Sequence, residues 1–543
     1  MTTALLAPWL GGLLLSYAIE ALLRPAVATP WRRSMASHGV HLGSWCLLFA
    51  LFLLLVQRPW FAAVFVLSLQ MVVVQSSNTK SATLKEPFIC QDFEYFLDAI
   101  RHPRLYVPFF GIGLAIAASS AGAMAIAAFL WLEPSLMVQG GAAALLAPAG
   151  LLLAAAGALL ALCLGRLPSC TLAPQQDLHR LGLFAALWRY GLMARCPPPA
   201  EAETTPFAAV PPEMPPRERL PHLVAVQSES FFDPRGWLAE LPDSLLPHFD
   251  ALARDALCQG SLRVPAWGAN TVRTEAAFLT AQPPEALGIH RFTPYRRLAS
   301  GPFPSLAARL KALGYRTVCV HPYPASFYLR HRVMPNLGFD TFLDIRHFDE
   351  CARDGQYIGD LAVAEKVGTL LDDSDNVPLF VFVITMENHG PLHLERPVPE
   401  SAPPLPTALA ERLHPEARDD LRVYLRHLGN ADAMLGRLRR RLTPAHPGDR
   451  HGMLCWYGDH VPIMSGAYGR LGAPSGDTCY ALWSSRQAAQ APHASRPLAV
   501  SELGQATLAA LLQEAGSATR DQMHHTHQNS AQGRPGAIRS HNE

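Results

Sequence analysis

The chain has 543 residues, of which 50% are hydrophobic and only 16% charged, well below the roughly 25% charge of soluble domains. That composition argues against an ordinary cytosolic enzyme. Lys and Arg number 45 and Asp and Glu 44, leaving a net charge of +1, so neither a basic field for nucleic acid nor an acidic solvating tail is present.

The apolar excess sits in the first third. Between Met1 and Ser76 only Glu20, Arg24, Arg32, Arg33 and Arg58 are charged, and the runs between them are long enough to cross about 30 Å of hydrocarbon. Residues 5–23, 40–56 and 59–74 are expected to span a membrane, the last two joined through Gln57-Arg58 as a hairpin. Residues 105–132 and 141–164 follow, both free of charge and too uniformly apolar for surface helices. Residues 1–165 therefore read as a transmembrane domain of five helices. No Lys or Arg precedes the first run, which does not fit a cleaved signal peptide. Five crossings with a cytoplasmic N-terminus put everything after Leu164 outside, whereas Arg24, Arg32, Arg33, Lys80, Lys85, Arg101 and Arg104, in loops that this topology also puts outside, argue for the reverse.

Residues 166–221 read as an interfacial helix and a linker. His179 to Arg195 mixes Leu, Phe and Trp with Arg and His, as a helix in the headgroup layer does. Cys196 to Pro221 is too rich in proline for helix or sheet and is expected to be an extended spacer. Residues 222–516 then suffice for one large globular domain, and 517–543 read as a polar, disordered tail in which His524, His525 and His527 are more simply solvated than metal-bound. The ten cysteines form no framework, although a Cys170–Cys196 disulfide is open to a chain outside the membrane.

The globular part alternates continuous apolar runs with helical stretches. The runs starting at His222, ending at His321, starting at Leu379 and starting at Gly452 fit strands buried on both faces, with helices at 304–313 and 421–442 between them. The expected fold is α/β with a mostly parallel central sheet, whose ligands bind beyond the carboxyl ends of the strands. Those ends carry Ser228-Glu229-Ser230, His321-Pro322-Tyr323, Glu387-Asn388-His389 and Gly458-Asp459-His460. Glu229, Asp459 and His460 make a mixed oxygen and nitrogen set suited to one divalent ion, Mn2+ first, with Mg2+ or Zn2+ as alternatives. Thr271 follows the loop at Gly268 and opens a helix whose first amides favour an anion. An N-cap is its simplest role, but a metal at its hydroxyl would make it a nucleophile and a fourth ligand.

In this order these residues resemble the membrane-bound phosphoglycerol transferases typified by lipoteichoic acid synthase, in the alkaline phosphatase and sulfatase superfamily. The resemblance covers nearly the whole chain: five spans, interfacial helix, linker, then a sulfatase-like domain. Its metal-binding glutamate matches Glu229 in QSESFF, its nucleophile Thr271 in GANT, and its Asp-His pair Asp459 and His460 in YGDH. The substrate-binding pattern is met by His321, Phe327, Tyr328 and Arg330 in HPYPASFYLR, and a further substrate-binding, catalytic histidine by His389 in ENHGP. Tyr328 stands where the best-known members have Trp, and Ala269, Asn270, Val272 and Arg273 differ from their nucleophile flanks. No Cys-x-Pro-x-Arg sequence exists to supply the formylglycine of a true sulfatase.

The resemblance implies transfer of phosphoglycerol from phosphatidylglycerol to a surface or periplasmic glycan through a phospho-threonine intermediate. It places the chain in the inner membrane with its catalytic domain outside, against the loop charges. Sparse lysine (Lys80, Lys85, Lys311, Lys366) suggests a GC-rich genome, which shifts the acceptor toward a Gram-negative capsule, lipopolysaccharide or periplasmic glucan. A phosphoethanolamine transferase or phosphodiesterase of the same superfamily, and a non-catalytic membrane scaffold, are the alternatives.

Overall fold

The computed structural model describes residues 3–94, 112–199, 203–208, 215–375, 377–397, 404–486 and 494–531. They divide into two compact units, one of Met1–Pro198 with Gly288–Phe292, the other of Pro199–Leu287 with Thr293–Glu543.

The first unit is helical: α1 (Thr3–Glu20), α2 (Met35–Val56), α3 (Pro59–Leu84), α4 (Ile112–Leu132), α5 (Leu136–Leu164), α6 (Pro174–Leu181) and α7 (Leu183–Met193). The expected hairpin is present. Gln57 ends α2 in the left-handed region, and Pro59 opens α3 with its φ already set for a helix. Glu133 caps that opening by accepting the Trp60 and Phe61 amides, both at 2.8 Å. α2 packs on α5 and α1 on α3, around Trp45, Phe49, Leu53, Val66 and Ala149. Gly12 makes this possible, since a Cβ there would collide with the Trp45 ring.

Among the described residues α2, α3 and α5 are long and apolar enough to cross a membrane, while Leu5–Glu20 and Ser120–Leu132 are shorter apolar helices. The five-span count is thus met in three helices, and residues 105–111 of the fourth expected span lie outside the description. Two boundaries also move. α2 starts at Met35, where Ser34 caps it by accepting the Ser37 amide, and α3 continues to Leu84 because Ser76 and Ser77 are buried in it. The expected single helix from His179 to Arg195 is split at Gly182, whose φ of 79° only glycine adopts freely. All ten cysteines are free, so Cys170 and Cys196 are not bridged.

The second unit is built on a nine-stranded sheet. Its strands are β1 (His222–Ser228), β2 (Cys258–Arg263), β3 (Arg316–Val320), β4 (Thr341–Leu343), β5 (Leu379–Ile384), β6 (Gly452–Gly458), β7 (Thr478–Ser484), β8 (Ala494–Ser495) and β9 (Leu498–Ala499). The order is β8-β2-β7-β6-β1-β5-β3-β4, with β9 also on β2; from β6 to β4 every pairing is parallel, and β7 is antiparallel to both β6 and β2. The four expected strands are therefore four adjacent parallel strands, β6-β1-β5-β3, and their carboxyl ends share one edge.

Period-two alternation sorts their side chains into two cores. Val224, Val226, Val381 and Val383 face the layer containing α11 (Asp360–Asp372) and α12 (Pro415–Leu442). Leu223, Ala225, Phe380 and Phe382 face α8 (Thr271–Thr280), α9 (Leu306–Ala312), α10 (Arg330–Asn336) and α13 (Val500–Ala531). The helix α13 carries regular backbone past the expected end of the domain at residue 516, through the His524–His527 segment to Ala531, and the rest of the expected tail lies outside the described residues.

Candidate active site

The register of two neighbouring strands creates the centre of the site. Ser228 of β1 lies opposite Gly458 of β6, so the residues that follow, Glu229 and Asp459, leave the sheet side by side. Gly458 is required there because a Cβ would strike the Phe231 carbonyl. Ser230, left-handed at φ 55°, then turns the chain and donates its amide to Asp459 Oδ1 at 2.8 Å. Asn270, also left-handed at φ 66°, brings Thr271 in at the first turn of α8. Thr274, one turn on, donates its hydroxyl to the Asp459 carbonyl at 2.9 Å and ties that helix to β6.

Glu229, Thr271, Asp459 and His460 are all buried, and the three metal-type ligands offer atoms within 4.8 Å of one another. His460 Nε2 is 3.2 Å from Asp459 Oδ2, 3.7 Å from Glu229 Oε1 and 3.4 Å from Thr271 Oγ1. Its Nδ1 faces the Val461 carbonyl at 3.1 Å, which fixes the proton on Nδ1 and leaves the Nε2 lone pair aimed at the carboxylates. Asp459 Oδ1 is satisfied by two amides, whereas Oδ2 is buried without a hydrogen-bond partner. Burial and the neighbouring Asp459 push Glu229 up to about 8. Two carboxylates and a lone pair converging in a dry place lack a positive charge. The donor set fits one divalent cation.

A second cluster surrounds Arg330. Glu275, one turn beyond Thr271 on α8, receives Arg330 Nε at 3.1 Å and Arg330 Nη2 on its other oxygen, and the Tyr295 hydroxyl also donates to it. Arg330 Nη1 donates to His321 Nε2 at 3.0 Å, so His321 carries its proton on Nδ1, toward the Ile384 carbonyl. Burial and the Arg330 charge hold its pKa well below the usual range, and His321 is neutral. The Arg330 guanidinium lies 5.9 Å from the Phe327 ring and 5.4 Å from the Tyr328 ring. Phe327 is buried and Tyr328 half-buried at a left-handed φ of 53°.

His389 Nδ1 donates to the Gly390 carbonyl at 2.6 Å, which leaves Nε2 as the acceptor nitrogen of the neutral ring. Burial lowers its pKa, with Asp459 and Arg330 both within electrostatic reach. Tyr357 stacks on it edge-on, with ring centroids 5.6 Å apart. Beneath lies a buried network in which Glu387 accepts from His427 Nδ1, Asn430 Nδ2 and the Asp360 amide, each at 2.6 Å. Thr271, Glu229, Asp459 and His460 thus form one contact group, and His321, Phe327, Tyr328 and Arg330 another. Glu275, Tyr295, Tyr357 and His427 were not among the sequence candidates. Glu275 had one signal, a carboxylate four residues after Thr271.

Residues 221–478 match the family model described as Sulfatase. Over 439 residues the chain is 28% identical to the capsular polysaccharide biosynthesis protein RkpI of Rhizobium meliloti (strain 1021), covering 77% of this chain and 76% of RkpI. Among solved structures it is similar to the Streptococcus pyogenes phosphoglycerol transferase GacH in complex with sn-glycerol-1-phosphate (21% identity, 54% of this chain and 75% of that one, TM-score 0.44). The Listeria monocytogenes lipoteichoic acid synthase LtaP is also similar (21% identity, 48% and 61%, TM-score 0.37).

Proposed function

We propose that the protein is a membrane-anchored transferase that moves a phosphoglycerol group from phosphatidylglycerol to a cell-surface or periplasmic glycan, with its catalytic domain outside the inner membrane. One observation carries this reading: the Thr271 hydroxyl stands 3.4 Å from a metal-competent imidazole nitrogen, in a cluster whose buried Asp459 Oδ2 lacks a hydrogen-bond partner. Glu229, Asp459, His460 and Thr271 Oγ1 would hold the ion, Mn2+ in our assignment. When bound, it acts as a Lewis acid that favours the alkoxide of Thr271 and offsets phosphate charge.

Thr271 attacks phosphorus; its Oγ–P bond forms as the bond from phosphorus to diacylglycerol oxygen breaks, and the proton given up by the Thr271 hydroxyl ends on that departing oxygen. Arg330 supplies positive charge to the non-bridging oxygens. His321, being neutral, contributes a hydrogen-bonding contact and orientation rather than charge. Phe327 and Tyr328 wall the glycerol. In the second half-reaction His389 Nε2 takes the proton of the acceptor hydroxyl, which attacks phosphorus and releases Thr271. Membrane helices suit a donor and a diacylglycerol product that both stay in the bilayer. The relative named for capsular polysaccharide biosynthesis supports a polysaccharide acceptor.

The test uses the full chain in lipid vesicles with Mn2+, supplied with head-group-labelled phosphatidylglycerol or phosphatidylethanolamine and a capsule-type polysaccharide. The expected result is diacylglycerol release from phosphatidylglycerol and label in the polysaccharide. Label from phosphatidylethanolamine alone would assign the protein to phosphoethanolamine transfer.

A further inference from the structure

The carboxylate of Glu275 has no part in the reaction just described, yet it is buried in the heart of the site. It sits one turn along α8 from Thr271, so the two side chains belong to one face of one rigid element. Arg330 reaches that helix from α10, whose entry passes through two consecutive left-handed residues, Tyr328 and Leu329.

A guanidinium has five N–H donors in a fixed plane. Glu275 takes one from Nε and one from Nη2, and His321 Nε2 takes one from Nη1. One N–H on each terminal nitrogen remains. Such a pair spans two oxygens of a phosphate. Tyr295 holds the carboxylate itself through its hydroxyl. Arg330 is therefore clamped on two sides, by a side chain from the nucleophile's own helix and by an imidazole whose tautomer a backbone carbonyl fixes.

We propose that Glu275 is a positioning residue: it sets the two remaining Arg330 N–H groups at a fixed place relative to the Thr271 hydroxyl, so that a bound phosphodiester lies in line for attack. This rests on Thr271 as nucleophile and Arg330 as phosphate ligand. A plain counter-ion role makes a different demand, because a counter-ion has only to carry charge, whereas a clamp has also to be the right length.

Two substitutions separate these roles. Glu275→Gln leaves the cation of Arg330 unneutralised but unclamped, and Glu275→Asp keeps the charge on a shorter arm. The assay is turnover of bis(p-nitrophenyl) phosphate, which has no lipid headgroup, by the full chain in detergent with Mn2+. In both variants kcat should fall about 100-fold while KM does not rise, since anion attraction survives and alignment is lost. Tyr295→Phe removes a single hydrogen bond and guards against misfolding; it should lower kcat by about three- to tenfold with KM unchanged. Full turnover in Glu275→Asp would overturn the proposal in favour of a counter-ion. So would equal, proportionate losses in kcat and KM across all three variants, with lowered melting temperatures, which mark structural damage. A wild-type protein that turns over this diester but neither phospholipid would instead overturn the donor assignment and leave the role of Glu275 standing.

Discussion

The two charged clusters of the site are equally buried but oppositely balanced. Around Arg330 a cation meets a bidentate carboxylate that also accepts from the Tyr295 hydroxyl, and a neutral imidazole accepts a third N–H. Around Glu229 and Asp459, two carboxylates meet an imidazole that offers a lone pair, and Asp459 Oδ2 has no hydrogen-bond partner. A buried charge set stays stable only when it is paired and hydrogen-bonded. In the proposed reading the first cluster, paired as the chain folds, holds a phosphate, and the second is completed by a cation. Substitution should break these two clusters in opposite ways.

The largest effect is chemical. Thr271→Ala should lower diester turnover by more than about 10^4-fold, as loss of a nucleophile does, while the melting temperature changes little and Mn2+ binding weakens but persists on the three remaining ligands. The next is structural. Arg330→Ala strands Glu275 as an uncompensated buried carboxylate and should cost about 3–5 kcal/mol in denaturant unfolding, with kcat lost as well. Asp459→Asn should do the reverse to the metal-free protein, raising its stability by relieving repulsion on Glu229, and should abolish a metal-dependent gain of about 2.7 kcal/mol at 100 times Kd. Thermal unfolding with and without Mn2+ reads both changes.

The last is a pH effect in the network around Glu387. Burial works against the charge on His427, but its hydrogen bonds to Glu387 and Glu395 outweigh burial and raise its pKa to about 9, with Arg426 pairing the outer face of Glu395. A histidine raised on folding stabilises fully below about 6.5, and that contribution is lost as pH rises through about 9. Unfolding free energy should therefore fall by of order 3 kcal/mol across that window, and His427→Gln should remove that part of the slope. An unchanged slope in the variant would show that His427 is not the titrating group.

What was legible in the sequence follows from how each feature is encoded. The central strands were readable because a parallel sheet covered on both faces demands uninterrupted apolar runs. Glu229, Asp459, His460 and Thr271 were readable because each lies at a strand end or a helix start. The Arg330–Glu275 pair was not, since nothing local in HPYPASFYLR shows which carboxylate meets its arginine. His427 was hidden in a 28-residue amphipathic helix, where a buried histidine looks like any other residue of the stripe. In the first unit α3 was read ten residues short because its polar Ser76–Lys80 stretch resembles a helix exit, yet Ser76 and Ser77 are buried there. Residues 105–111 of the fourth span and 200–202 and 209–214 of the linker lie outside the description, and among the described residues length and composition together single out three helices able to cross a membrane.

The central claim is that the cluster at Glu229, Asp459 and His460 holds an ion beside a nucleophilic Thr271. Peptide mass spectrometry of Thr271, after the full chain meets phosphatidylglycerol with Mn2+ and the reaction is stopped in acid without acceptor, tests it most directly. The account predicts a glycerophosphoryl adduct on Thr271, absent from Thr271→Ala and absent when EDTA replaces Mn2+. Diacylglycerol release with Thr271 unmodified, or an adduct that forms equally well in EDTA, would contradict it.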